Sequence, residues 1–169
     1  MEIRIESLIA GAREAEGVVV VVDVFRCFTT EAVAFANGAK EIILVAEIDE
    51  ALELKRKGMG DVLMGEVGGK RPEGFDFGNS PFELKDVDLT DKTIIQSTRA
   101  GTVGVTAASK ADVIYGGSFA VASATATNIL SAQPEIVTIV AMGLEGKIRA
   151  DEDEPVSYTH LTLPTICSV

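Results

Sequence analysis

The chain has 169 residues, 47% of them hydrophobic and 24% charged, the balance of one globular domain with a proper core. Fifteen Lys and Arg stand against 26 Asp and Glu, a net charge of −11, which argues against a nonspecific grip on nucleic acid or an anionic membrane. Two cysteines, Cys27 and Cys167, are no disulfide framework, so a reducing cytoplasm is the expected setting.

The chain opens "MEIRIESLIAG", an alternating pattern without the long apolar stretch of a signal peptide. "GVVVVVDV" (Gly17–Val24) reads as a strand buried on both faces. "TTEAVAFANG" follows as a helix, with Thr29 or Thr30 as its cap and Gly38 as its end. "EIILVA" (Glu41–Ala46) is the next strand. "DEALELKRKG" is a helix with acid first, base last and Gly58 as its stop. "DVLMG" is a strand that leads into "GEVGGKRPEGFDFGNSPFE" (Gly65–Glu83), a long segment rich in glycine and charge. Loops of that length in compact domains are usually functional or disordered, and Phe75, Phe77 and Phe82 speak against disorder. "KTIIQS" (Lys92–Ser97) is a strand, "AGTVGVTAAS" a helix of small residues, and "DVIYGG" and "EIVTIVAM" are strands around a helical "ATATNILSA". The alternation predicts an α/β fold with a largely parallel central sheet.

Pro155–Val169 breaks this rhythm. It holds the only His, His160, and the second Cys, and it resembles translated linker sequence. The expectation is a domain over 1–154, truncated at its C-terminus, followed by a non-native tail over 155–169.

Ligands of open α/β sheets bind at the carboxyl ends of the strands. The first buried strand ends in Asp23, with Arg26 beyond it and Thr29 and Thr30 near a helix start. "KTIIQS" runs into Ser97, Thr98, Arg99, Gly101 and Thr102, "DVLMG" into Glu66, and "DVIYGG" into Ser118. Two arginine-plus-hydroxyl clusters and two carboxylates on one edge read as an anion site with a divalent cation. Arginine binds phosphate bidentately, and hard carboxylate oxygens suit Mg²⁺. Known nucleophile patterns are absent. Cys27 lacks an arginine six residues on, where Val33 stands; Phe25 occupies the place of a second aspartate after Asp23; and no glycine-rich loop ends in Gly-Lys-Ser/Thr.

"VVVVVDVFRCFTTEAVAFANGAKEIILVAEIDEALELK", with "GEVGGKRPEGFDFGNSPFE" and "STRAGT", closely resembles the 2-phosphosulfolactate phosphatase (ComB-like) family from about Ile3 to Glu154. The resemblance implies a three-layer α/β/α fold. It also implies Mg²⁺-dependent hydrolysis of (2R)-2-phospho-3-sulfolactate to 3-sulfolactate and phosphate, a step of coenzyme M biosynthesis in methanogens. Asp23 and Glu66 would hold the metal, with an acid of the Asp151–Glu154 run as a further ligand, or Asp23 would be a nucleophile instead. Asp23, Arg26 and Arg99 would be catalytic. Thr29, Thr30, Ser97, Thr98, Gly101, Thr102 and Ser118 would complete the substrate cradle. Gly68 and Gly69 would let the ligand approach the backbone, and Lys70 and Arg71 would neutralise its charge. Asn79 and Ser80 would bind substrate and fix the loop's exit, while Phe75 and Phe77 pin the loop to the core. Expected partners are a small anionic phosphorylated substrate and, as an open option, a second copy in a homodimer, without nucleic acid or membrane. Two other readings stand beside this one: a noncatalytic anion-binding domain, and a phosphatase or transferase acting on another small 2-phospho acid.

Overall fold

The computed structural model describes residues 1–151 and 153; the expectations for the tail over 155–169 lie outside them. Strands and helices alternate as β1 (Glu2–Ser7), α1 (Leu8–Glu14), β2 (Gly17–Val22), α2 (Cys27–Ala36), β3 (Glu41–Val45), α3 (Ile48–Arg56), β4 (Val62–Gly65), β5 (Thr93–Ser97), α4 (Gly101–Ala107), β6 (Ala111–Gly117), α5 (Ala122–Ala132) and β7 (Ile136–Ala141). None of the described helices is long and apolar enough to cross a membrane.

Among the described residues every pairing between these strands is parallel, as expected, but the strands form two sheets: β1-β7-β2-β6 and β3-β5-β4. The valine run explains the first. Val19 and Val21 face Ala12 of α1, Cys27 and Phe28 of α2, and Ala108. Val18, Val20 and Val22 face the other way, toward Ile129 of α5 and Val137 and Ile139 of β7. Both faces are covered, so no polar alternation is needed. Each such side chain taken fully out of water contributes about 1.5–3 kcal/mol.

The second sheet repeats the arrangement. Ile94 and Met64 pack toward Ala34 of α2, while Ile95, Leu63 and Val45 pack toward Ala51 of α3. Each sheet is thus the middle of an α/β/α sandwich, and α2 touches the core of both. Helix α4 lies against β2 of one sheet and β3 of the other. Its small residues allow that: a Cβ on Gly104 would stand 2.5 Å from Met142 Sδ and 2.9 Å from Val21 Cγ1.

Helix α2 begins at Cys27, earlier than the threonines suggested, and neither threonine caps it. Thr29 Oγ1 donates to Val24 O and Thr30 Oγ1 to Arg26 O, both at 2.8 Å. The free N–H of Cys27 is met by Asp23 Oδ1 at 3.3 Å. Strand β2 ends at Val22; Asp23 N still donates to Gly117 O of β6 at 3.3 Å while its side chain turns to the start of α2.

The long segment after β4 folds back along it. Phe77 N and Asp76 N both donate to Leu63 O, at 3.1 and 3.0 Å. Phe75 is buried with the α3 core and Phe77 packs against the α2 side, so these two rings pin the loop as expected. Phe82 is 80% exposed and pins nothing.

Because α4 has no room on its inner face, we expect Gly104→Val to lower unfolding free energy by roughly 1–3 kcal/mol. A urea titration reads this as a lower midpoint; an unchanged midpoint would mean that α4 is not wedged between the sheets.

Candidate active site

The carboxyl ends of β2, β4, β5 and β7 open onto one cleft of about 640 Å³, counting its mouth. Asp23, Arg26, Glu66, Gly68, Gly69, Asn79 and Arg99 all line it. Seven positions read from separate stretches of the sequence therefore meet in space. Phe25, Ala100, Gly143, Leu144, Glu145 and Asp153 complete the wall.

Three carboxylates of this cleft hold its loops in place, each with both oxygens. Asp23 Oδ1 accepts from Cys27 N and its Oδ2 from Gly101 N at 2.8 Å, so one side chain meets the first residues of α2 and α4. Glu66 accepts from Arg99 N at 2.9 Å and from Gly69 N at 2.7 Å. Asp153 accepts from Val24 N at 3.0 Å and from Gly143 N at 2.7 Å. Together they fasten the turns after β2, β4, β5 and β7 to one another. Backbone N–H bonds favour an ionised carboxylate. For Asp23, however, burial, reinforced by nearby Asp153, outweighs them and lifts its pKa to about 7.

The arginines behave differently from the acids. Arg99 approaches Glu47 at 3.7 Å from the rim. Arg26 is half-buried, and among the described residues its guanidinium has no hydrogen bond or ion pair. An unpaired arginine in the mouth of a cleft is free to take an anion.

Several expected cradle members are engaged elsewhere. Ser97 Oγ donates to Ala46 O at 3.3 Å. Thr98 and Thr102 lock the β5–α4 turn reciprocally: Thr98 N donates to Thr102 Oγ1 at 2.8 Å, and Thr102 N to Thr98 Oγ1 at 3.2 Å. With Thr29 and Thr30 bonded to backbone carbonyls, these hydroxyls hold the chain and do not line the cleft. Gly101 works through its N–H, and a Cβ there would stand 2.6 Å from Cys27 Sγ. Ser118 is buried outside the cleft lining, its Oγ without a partner. Lys70 is exposed at the foot of a hairpin and does not line the cleft.

That hairpin gives Gly68 and Gly69 a different reason from the expected one. Val67 and Lys70 exchange backbone bonds around them, and their φ values are +57° and +77°. Two left-handed residues in a two-residue turn favour glycine, and a Cβ at either would meet open space. The loop's exit is not fixed by Asn79 and Ser80 either. Gly78 N donates to Glu83 Oε2 at 2.8 Å, and Ser80 contributes only its backbone carbonyl, to Glu83 N.

Asp153 lies in the acidic run that the sequence marked, and Gly143–Glu145 follow the carboxyl end of β7, where the same strand-end rule places ligand contacts. Phe25 carried no signal of its own beyond following Asp23.

Cys27 is a core residue. It is fully buried, and burial with the neighbouring Glu31 pushes its thiol well above the ordinary value, against thiolate formation. Cys27 Sγ donates to Glu31 Oε1 at 3.3 Å, and burial raises the Glu31 pKa to about 8 against that bond. The unfolded chain releases the Glu31 proton near 4.5 while the folded chain keeps it to about 8. Its contribution to stability is therefore present below pH 4.5 and is lost as pH rises toward 8. Glu31→Gln should match the parent's stability at pH 4 and exceed it at pH 8, measured by urea unfolding at both values. An equal difference at the two pH values would contradict the burial of this acid.

The chain matches the 2-phosphosulpholactate phosphatase family over residues 3–153. It is 39% identical over 137 residues to the "Probable 2-phosphosulfolactate phosphatase" of Caldicellulosiruptor saccharolyticus, covering 79% of this chain and 57% of that protein. Identity to the protein of the same name in Bacillus subtilis is 40% over 124 residues, 72% of this chain and 54% of the relative. For that of Carboxydothermus hydrogenoformans it is 44% over 119 residues, 70% and 49%. The chain thus spans about half the length of these relatives. By the extent of the match, which reaches from β1 to the Asp153 that closes the cleft, the chain belongs to the 2-phosphosulpholactate phosphatase family.

Proposed function

We propose that the protein hydrolyses the phosphate monoester (2R)-2-phospho-3-sulfolactate to 3-sulfolactate and phosphate, with Mg²⁺ in the cleft. The observation that carries this is that Arg26, half-buried and without a partner among the described residues, shares with Arg99 a cleft whose other described charged residues are acids. A planar guanidinium takes two oxygens of a phosphate at once. The substrate's sulfonate and carboxylate add further negative charge, which two arginines alone leave incompletely neutralised.

The donor set suits a hard divalent cation. Asp23, Glu66 and Asp153 bring carboxylate oxygens to one wall, and among the described residues Asp23 is buried beside acids without a cationic partner. Among the described residues, no three Asp, Glu, His or Cys side chains gather closely enough to cage an ion. Mg²⁺ is typically bound by one or two carboxylates, with substrate phosphate and water filling the remaining positions. Asp23 and Glu66 would hold it, and the cation would supply charge neutralisation and polarise the phosphate.

The remaining work falls to the chain itself. Arg26 and Arg99 orient the phosphoryl oxygens for in-line attack by water: the water oxygen bonds to phosphorus as the P–O ester bond breaks, and the proton that water gives up goes to the leaving alcohol oxygen. The carboxylate tethers keep the loops from shifting as charge moves. Gly68 and Gly69 leave their side of the cleft without side chains.

The test is phosphate release from a panel of 2-phospho acids, with and without Mg²⁺. Release should be fastest with the sulfonate-bearing substrate, stop in EDTA, and be abolished in Asp23→Asn. Losing a charge-assisted hydrogen bond costs roughly 1.5–3 kcal/mol, or about one to two powers of ten in rate. Arg26→Lys and Arg99→Lys should each lower kcat/KM by that much with little change in Tm. Activity that survives EDTA, or lysine variants as fast as the parent, would refute the mechanism. Phosphate binding without turnover of any substrate would favour a noncatalytic anion-binding role.

A further inference from the structure

Among the described residues that line the cleft, Asn79 is the one whose burial is unexplained. It is only 5% exposed, and among the described residues its Oδ1 has no hydrogen-bond partner. A buried amide oxygen without a donor is unfavourable in a native fold and calls for a specific cause. The expected cause, a bond that fixes the loop's exit, is absent, since Glu83 does that work.

The anionic ligand does not supply the missing partner. Phosphate, sulfonate and carboxylate oxygens are acceptors, and so is Oδ1. What satisfies it is a cation or a donor. Asp23, Glu66, Glu145 and Asp153 already crowd the cleft with negative charge. A neutral amide oxygen adds a hard ligand there without adding to that charge, and amide carbonyls are ordinary ligands of hard divalent cations.

We propose that Asn79 is a ligand of the divalent cation in this cleft, through Oδ1 directly or through a water held on it. The inference rests on the cation reading above and adds a residue to the cation site of Asp23 and Glu66. It also gives a role to Asn79, midway along the β4–β5 connection, which runs from the end of β4 at Gly65 to the start of β5 at Thr93. That loop is pinned by Phe75 and Phe77, so Asn79 reaches the cleft from a fixed base.

The experiment uses Mn²⁺ as the probe, followed by the electron paramagnetic resonance signal of the free ion, on protein without substrate. Asn79→Ala should weaken Mn²⁺ binding by at least about 10–100-fold, the loss typical when even an outer-shell partner of a metal site is removed. Its urea midpoint in EDTA should match the parent's. Asn79→Asp keeps the oxygen and removes the amide nitrogen, and should bind Mn²⁺ at least as tightly as the parent. Should Asn79→Ala not fold, Asn79→Asp decides: binding weaker than the parent's overturns the proposal. Unchanged Mn²⁺ affinity in Asn79→Ala overturns it too. A parent protein that binds no Mn²⁺ would instead remove the cation reading itself, and this inference with it.

Discussion

One carboxylate holds the two halves of the molecule in register. Asp23 leaves the end of β2, in the first sheet, and accepts hydrogen bonds from the first residues of α2 and α4. Helix α4 follows β5, in the second sheet. Two helix N-termini favour a negative charge between them, whereas burial and the neighbouring Asp153 oppose it. The result is an acid balanced near neutrality at the one point where both sheets, both helix starts and the cleft meet. A divalent cation beside it would settle that balance toward the ionised form.

The same device recurs around the cleft. Glu66 and Asp153 each use both oxygens on the backbone of a different turn. Four loops from strand ends are therefore cross-braced by side chains that also face the ligand space. A preorganised polar wall of this kind suits chemistry in which charge moves but atoms of the protein do not. It also explains why the hydroxyls are absent from the wall: Thr29, Thr30, Thr98 and Thr102 are the inner bracing of the same turns.

Much of this was legible in the sequence. The Val18–Val22 run, the acid-first and base-last pattern of α3, and the rule that ligands sit at strand ends located the fold and brought Asp23, Arg26, Glu66 and Arg99 to one edge. The division into two sheets was not legible, because a strand buried on both faces reads the same whichever sheet receives it. The direction of a threonine at a strand end was not legible either, since a hydroxyl satisfies a carbonyl as readily as a phosphate. The Gly68-Gly69 pair showed that glycine was needed but not why; positive φ in a tight turn and open space for a ligand give the same letters. Asp153 stood within a marked acidic run, but only its contacts with Val24 and Gly143, more than a hundred residues apart in sequence, single it out.

The cleft at the strand ends is proposed to take a phosphorylated small acid together with a divalent cation. Amide chemical-shift mapping tests it most directly, with inorganic phosphate titrated into the protein in the presence and absence of Mg²⁺. The shifts should concentrate on the amides of Arg26, Gly68, Gly69, Arg99, Gly101 and Gly143, and grow when Mg²⁺ is present. Shifts centred on the separate hollow lined by Phe28, Glu31 and Phe35, or none at all with Mg²⁺ present, would contradict it.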